Sequence, residues 1–132
     1  MNRDRLLTLA NYLETVPPEK FDLAIWVEYD EETKCMTAAC AVGHACSIPE
    51  FISAGLHMED GYKDVDTCPI PVFGQDAAWN AVYRFFDLTL RDALYLFDEC
   101  SYMENNERFI EAITPQDVAD RIYAFIGDVD EQ

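Results

Sequence analysis

The chain has 132 residues, the size of one ordinary domain, and half of them are hydrophobic, which is too apolar for a disordered chain. Nine Lys and Arg stand against 26 Asp and Glu, a net charge of −17 with both histidines neutral. Such an excess repels a phosphate backbone and an anionic membrane surface, so direct nucleic-acid binding and peripheral membrane binding are excluded as expectations.

From the start, Met1-Asn2-Arg3-Asp4-Arg5 leads into an amphipathic segment rather than a signal-peptide core, and no apolar run approaches the roughly 20 residues of a membrane span. A cytoplasmic protein is expected. Leu6, Leu9, Ala10, Leu13 and Val16 recur at helical spacing and predict a first helix over about Arg3 to Val16, stopped by Pro17-Pro18. Phe21 to Tyr29 reads as either a short helix or a buried strand, because Ile25, Trp26 and Val27 are consecutive and β-prone. It closes in a charged loop, 30–34.

The small-residue run Thr37 to Cys46 predicts a tightly packed buried helix with Thr37 as its N-cap. Ser47-Ile48-Pro49-Glu50 has the form of a capping box and predicts a short helix to Ala54, ended by Gly55. From Leu56 to Phe73 the prolines, Gly61 and the carboxylates Glu59, Asp60, Asp64 and Asp66 predict an irregular surface loop. Asp60-Gly61 with Asp64 and Asp66 lacks the order of a calcium loop.

Ala77 to Phe86 reads as a helix with Ala78, Val82, Phe85 and Phe86 inward. Thr89 then caps a helix carrying Leu90, Ala93, Leu94 and Phe97, with Asp92 at its third position. Thr114-Pro115-Gln116-Asp117 starts a last helix, buried through Val118, Ile122, Phe125 and Ile126 and ended by Gly127, with a frayed acidic tail over 128–132. The expectation is an all-α or mainly α single domain over 1–132, of about five or six helices, with a short strand near 21–29 as its one variation.

Two blocks carry a resemblance. Cys35-Met36-Thr37-Ala38-Ala39-Cys40-Ala41-Val42-Gly43-His44-Ala45 resembles a C-G-T-x-x-C-x-x-G-W/H-A segment of small uncharacterised proteins of bacteria and their phages. The later stretch from Ala77-Ala78 through Phe86-Asp87-Leu88-Thr89-Leu90 to Leu96-Phe97 is similar to the helix-turn-helix that follows in them. Met36 stands where that segment has Gly. The resemblance covers roughly a third of the chain and implies no activity.

Five cysteines without a secretory signal predict reduced thiols, packed as small apolar groups. Cys35, Cys40, His44 and Cys46 fall within a short span, but the spacing lacks the paired knuckles of a zinc site, and no metal or cofactor is expected. Cys40 and His44, four apart on one helical face, could make a thiolate and its base, which keeps a thiol- or metal-dependent enzyme centred on Cys35, Cys40 and His44 as the alternative. The helix-turn-helix offers Arg91 beside Asp92, Asp98 and Glu99, which suits a core hairpin better than a DNA reader.

The leading expectation is a non-enzymatic acidic protein that binds a basic protein partner through Asp98, Glu99, Glu104, Glu107, Glu111, Asp117 and Asp120. Glu104, Glu107 and Glu111 would align on one helical face. Because the resembling proteins are often phage-borne, one form of this is a DNA mimic that inhibits a host nucleic-acid-binding or defence protein.

Overall fold

A computed structural model describes residues 1–23, 25–29, 36–59, 69–103 and 113–130. The first helix, α1 (Arg3–Leu13), starts where Asn2 accepts a bond from the Arg5 amide at 3.1 Å, and its Leu6, Leu9, Ala10 and Leu13 are fully buried. It ends three residues before the expected boundary, though Val16 is still buried beyond it. Pro17 leads into a 3-10 turn at Pro18–Lys20.

The middle of the chain corrects the all-α expectation: the fold is mainly helical but mixed, with two small antiparallel sheets. Strand β1 (Val27–Tyr29) resolves the ambiguity of Phe21 to Tyr29, and it pairs with β2 (Met36–Ala39), Val27 opposite Ala39. Thr37 therefore lies in a strand, and the helix that follows begins at Ala41. The helix expected from Thr37 to Cys46 shrinks to α2 (Ala41–Ala45), capped by Cys40, whose sulfur accepts from the Gly43 amide at 3.4 Å. Cross-strand pairing satisfies the backbone here, where a helix from residue 37 would have left β1 without a partner. The charged loop 30–34 lies outside the described residues.

Helix α3 (Pro49–Ala54) has the expected length and ends at Gly55 with φ of 111°, but Ile48 rather than Ser47 is its N-cap and no side chain caps it. The loop expected over Leu56 to Phe73 is corrected next. Strand β3 (Leu56–Glu59) pairs with β4 (Ile70–Phe73), which pairs in turn with β5 (Asp76–Ala77). Leu56 is buried and His57 exposed, Met58 half-buried and Glu59 exposed, the alternation of a strand with one face inward. Asp60, Gly61, Asp64 and Asp66 lie outside the described residues.

Helix α4 (Trp79–Phe86) begins two residues later than expected, because Ala78 takes φ of 54° and stands outside it. Ala81, Val82, Phe85 and Phe86 are fully buried. Thr89 caps α5 (Leu90–Phe97) through the Asp92 amide at 3.1 Å, as its sequence predicts. The inward face is Ala93, Leu96 and Phe97, whereas Leu90 is 46% exposed. The α4–α5 pair is a packed hairpin, followed by α6 (Glu99–Met103).

The last helix, α7 (Pro115–Asp130), has a reciprocal cap. The Asp117 amide donates to Thr114 Oγ1 at 3.1 Å, and the Thr114 amide donates to Asp117 Oδ2 at 2.9 Å. Gly127 does not end it: the helix runs to Asp130, while 131–132 lie outside the described residues. Helices α1 and α7 pack side by side, and one buried cluster runs from Leu6 to Ile126. Its aromatic centre is Phe51, Phe85, Phe86 and Phe97, with neighbouring ring centroids 4.9 to 5.9 Å apart.

Candidate functional site

Cys40, Cys46 and His44 face inward, whereas Cys100 and His57 lie at the surface, so the expectation that the thiols pack as apolar groups holds for Cys40 and Cys46 and is corrected for Cys100. Cys40 Sγ, besides capping α2, lies 3.8 Å from the Trp26 carbonyl oxygen, and burial pushes its thiol up to about 11. Burial, with the neighbouring Cys40, pushes Cys46 up to about 12. Neither is a thiolate near neutral pH, which argues against nucleophilic use of Cys40. Cys35 and Cys68 lie outside the described residues. Among the described residues no cluster of three or more His, Cys, Asp or Glu is placed to hold a metal ion.

His44 is 2% exposed, stacked on Phe21 and tilted toward Tyr12. Its Nε2 donates to the Lys20 carbonyl at 2.8 Å, so Nδ1 is the unprotonated nitrogen, buried with no hydrogen-bond partner. Burial lowers its pKa from the ordinary 6.5. Above that value the ring is neutral in both the folded and the unfolded chain. Below it the unfolded chain takes up a proton that the folded chain resists, and stability falls by up to about 1.4 kcal/mol per pH unit. Urea unfolding between pH 7.5 and 5.5 is expected to show this loss in the wild type and a flatter profile in His44→Phe.

The seven carboxylates expected to bind a partner do not share one setting. Glu104, Glu107 and Glu111 lie outside the described residues. Asp117 is turned back onto the Thr114 amide as a capping group. Asp120 lies on the side of α7 that faces α1: it accepts from Gln116 Nε2 at 2.9 Å, and the same nitrogen reaches Glu14 Oε1 at 3.4 Å. Tyr123 joins this seam, its hydroxyl bonded to Asn11 at 2.6 Å and its pKa raised by desolvation and then by Glu14 and Asp120. Glu14 is thus an acidic neighbour that the sequence did not single out, since the adjacency comes from helix packing.

Asp98 and Glu99 sit at the α5–α6 junction and border a cavity of about 310 Å³. The segment before β1 forms its other side, held in place where the Asp22 amide donates to the Ala39 carbonyl at 3.0 Å and the Cys40 amide to the Ile25 carbonyl at 2.9 Å. Leu23, Ile25, Val27 and Phe97 supply apolar wall, and Trp26 and Cys40 complete it. Glu99 Oε2 is shut off from solvent and has no hydrogen-bond partner. Sequence spacing could not have found this cavity, because its two sides come from distant segments.

Two half-buried arginines are held by main-chain carbonyls and aromatic rings. Arg5 donates to the Phe85 carbonyl at 2.8 Å and lies 4.1 Å from the Phe85 ring centroid. Arg121 donates to the Tyr95 carbonyl at 2.9 Å and to Ser101 Oγ at 3.0 Å, and lies 3.6 Å from the Tyr102 ring centroid. Arg84 pairs with Asp76 at 3.2 Å.

Comparison with known proteins finds no family model, no curated protein and no solved structure that matches this chain. No helix among the described residues is long and apolar enough to cross a membrane.

Proposed function

We propose that this chain is a non-enzymatic, cytoplasmic acidic protein that binds a basic protein surface. The observation that carries this reading is the charge count, 26 acidic side chains against nine basic ones, of which Arg5 and Arg121 bond to main-chain carbonyls and face aromatic rings. An excess of 17 negative charges on one small chain leaves a strongly one-sided field. Such a field steers a basic partner and repels nucleic acid.

The carboxylates assigned to the interface are Asp98, Glu99, Asp120 and its neighbour Glu14, together with Glu104, Glu107 and Glu111 from the stretch between α6 and α7. Asp117 contributes charge while capping its helix. The resemblance to small phage and bacterial proteins favours a DNA-mimicking inhibitor of a host nucleic-acid-binding or defence protein as the particular form. The buried, protonated Cys40 and Cys46 weigh against the thiol-enzyme alternative.

The test is capture on the immobilised chain, eluted by salt and, separately, by duplex DNA. Screening lengths fall from about 8 Å at 0.15 M salt to about 3 Å at 1 M. A basic partner is expected to elute within that range, to be displaced by DNA, and to be held more weakly by the Glu14→Gln, Asp120→Asn double variant. Retention of a neutral or acidic protein that resists both eluents would reject the reading, as would retention of nothing.

A further inference from the structure

The cavity between the segment before β1 and the α5–α6 junction is more than a gap in packing. Its volume of about 310 Å³ lies at the lower end of small-ligand pockets. An apolar cavity alone needs no explanation, but Glu99 at its edge has a carboxylate oxygen that is cut off from solvent and, among the described residues, has no hydrogen-bond partner, which is costly for a polar group. Leaving Glu99 in this state makes sense if a donor arrives from outside. The carboxylate's terminal torsion is soft, so its oxygens can reorient to meet such a donor.

We infer that this cavity receives the guanidinium group and alkyl stem of an arginine side chain presented by the basic partner. Charge complementarity selects a cation, since Asp98 and Glu99 border the cavity and Cys40 offers only a neutral thiol. The apolar wall of Leu23, Ile25, Val27 and Phe97 suits an aliphatic stem rather than a bare ion. Trp26 on the same wall is an aromatic side chain of the kind that attracts a flat cation. A guanidinium is less strongly hydrated than an ammonium and can bond a carboxylate through two parallel N–H donors, so it loses least on entering an enclosed site.

This assignment rests on the proposal of a basic partner, but its test uses no partner, so the two can fail separately. The full chain is titrated with n-butylguanidinium and followed by heteronuclear NMR at the Trp26 indole and the Cys40 and Glu99 amides. Saturable shifts at these three positions are expected, with affinity reduced roughly tenfold in Glu99→Gln, the scale of one charge-assisted bond. The variant's unchanged circular dichroism would establish that it is folded. n-Butanol, which keeps the stem and lacks the cation, is expected to bind at least roughly tenfold more weakly for the same reason. Absence of saturable shifts, equal binding of butanol, or an unaltered affinity in Glu99→Gln would overturn the site. Equal affinity for n-butylammonium would overturn the choice of guanidinium.

Discussion

Gly43→Ala is expected to abolish the folded state, although the same substitution elsewhere in a helix is usually favourable. A Cβ on Gly43 would stand 1.8 Å from the Trp26 carbonyl oxygen and 2.7 Å from Ala39 Cβ. Both obstacles are fixed, the first by the backbone leading into β1 and the second by a strand paired with it. Relief therefore requires α2 to move away from the sheet, which would also break the Cys40 cap and the burial of Val42 and His44. The cost should exceed about 4 kcal/mol, in the range reserved for overpacking against rigid structure. Ala39→Gly should not rescue it, because the Trp26 carbonyl remains. Gly127→Ala is the matched control: nothing lies within 4 Å of its added Cβ, and it sits inside α7. That variant should gain about 0.5–1 kcal/mol. Circular dichroism and urea unfolding of the two proteins measure the contrast. A folded Gly43→Ala protein with near-native stability would mean that α2 is not seated against Trp26.

What the sequence disclosed follows from how local each interaction is. The caps at Thr89 with Asp92 and at Thr114 with Asp117 were legible, since a cap closes within three residues. Helical periodicity located α1, α4, α5 and α7 for the same reason. Of the strands only β1 was half-legible, as one of two readings of Phe21 to Tyr29; the others were not, because segments of two to four residues show too little alternation and their pairing is set by distant chain: Val27 finds Ala39, and Met58 finds Pro71. Thr37 illustrates the cost, since its capping chemistry was sound locally and was overridden by strand pairing. Charge excess was legible from composition alone, but its distribution was not. Asp117 is withdrawn into a cap, Asp120 meets Glu14 only because α7 lies on α1, and Glu99 meets Trp26 only across the cavity.

Arg121→Met should be the costliest loss of a charged side chain. The guanidinium joins three helices: it extends from α7 to the Tyr95 carbonyl on α5 and to the hydroxyl and carbonyl of Ser101 on α6, the last at 3.4 Å. It also covers Tyr102, which is buried with its own hydroxyl bonded to the Leu96 carbonyl at 2.7 Å. Methionine keeps the apolar stem and removes every donor, taking a partner from the partly buried Ser101 carbonyl and leaving the exposed Tyr95 carbonyl to the Ser101 hydroxyl. Charge-assisted bonds contribute about 1.5–3 kcal/mol each but are not additive within one group, so a loss of about 3 kcal/mol is expected. For a chain of this size that is a fall of about 10 °C in Tm. Arg121→Lys should lose about half as much, since an ammonium cannot serve the two carbonyls and the ring together. Urea unfolding checks both, with the midpoint falling and the slope unchanged. A methionine variant within about 0.5 kcal/mol of wild type, the range of ordinary surface changes, would contradict the inward role given to this arginine.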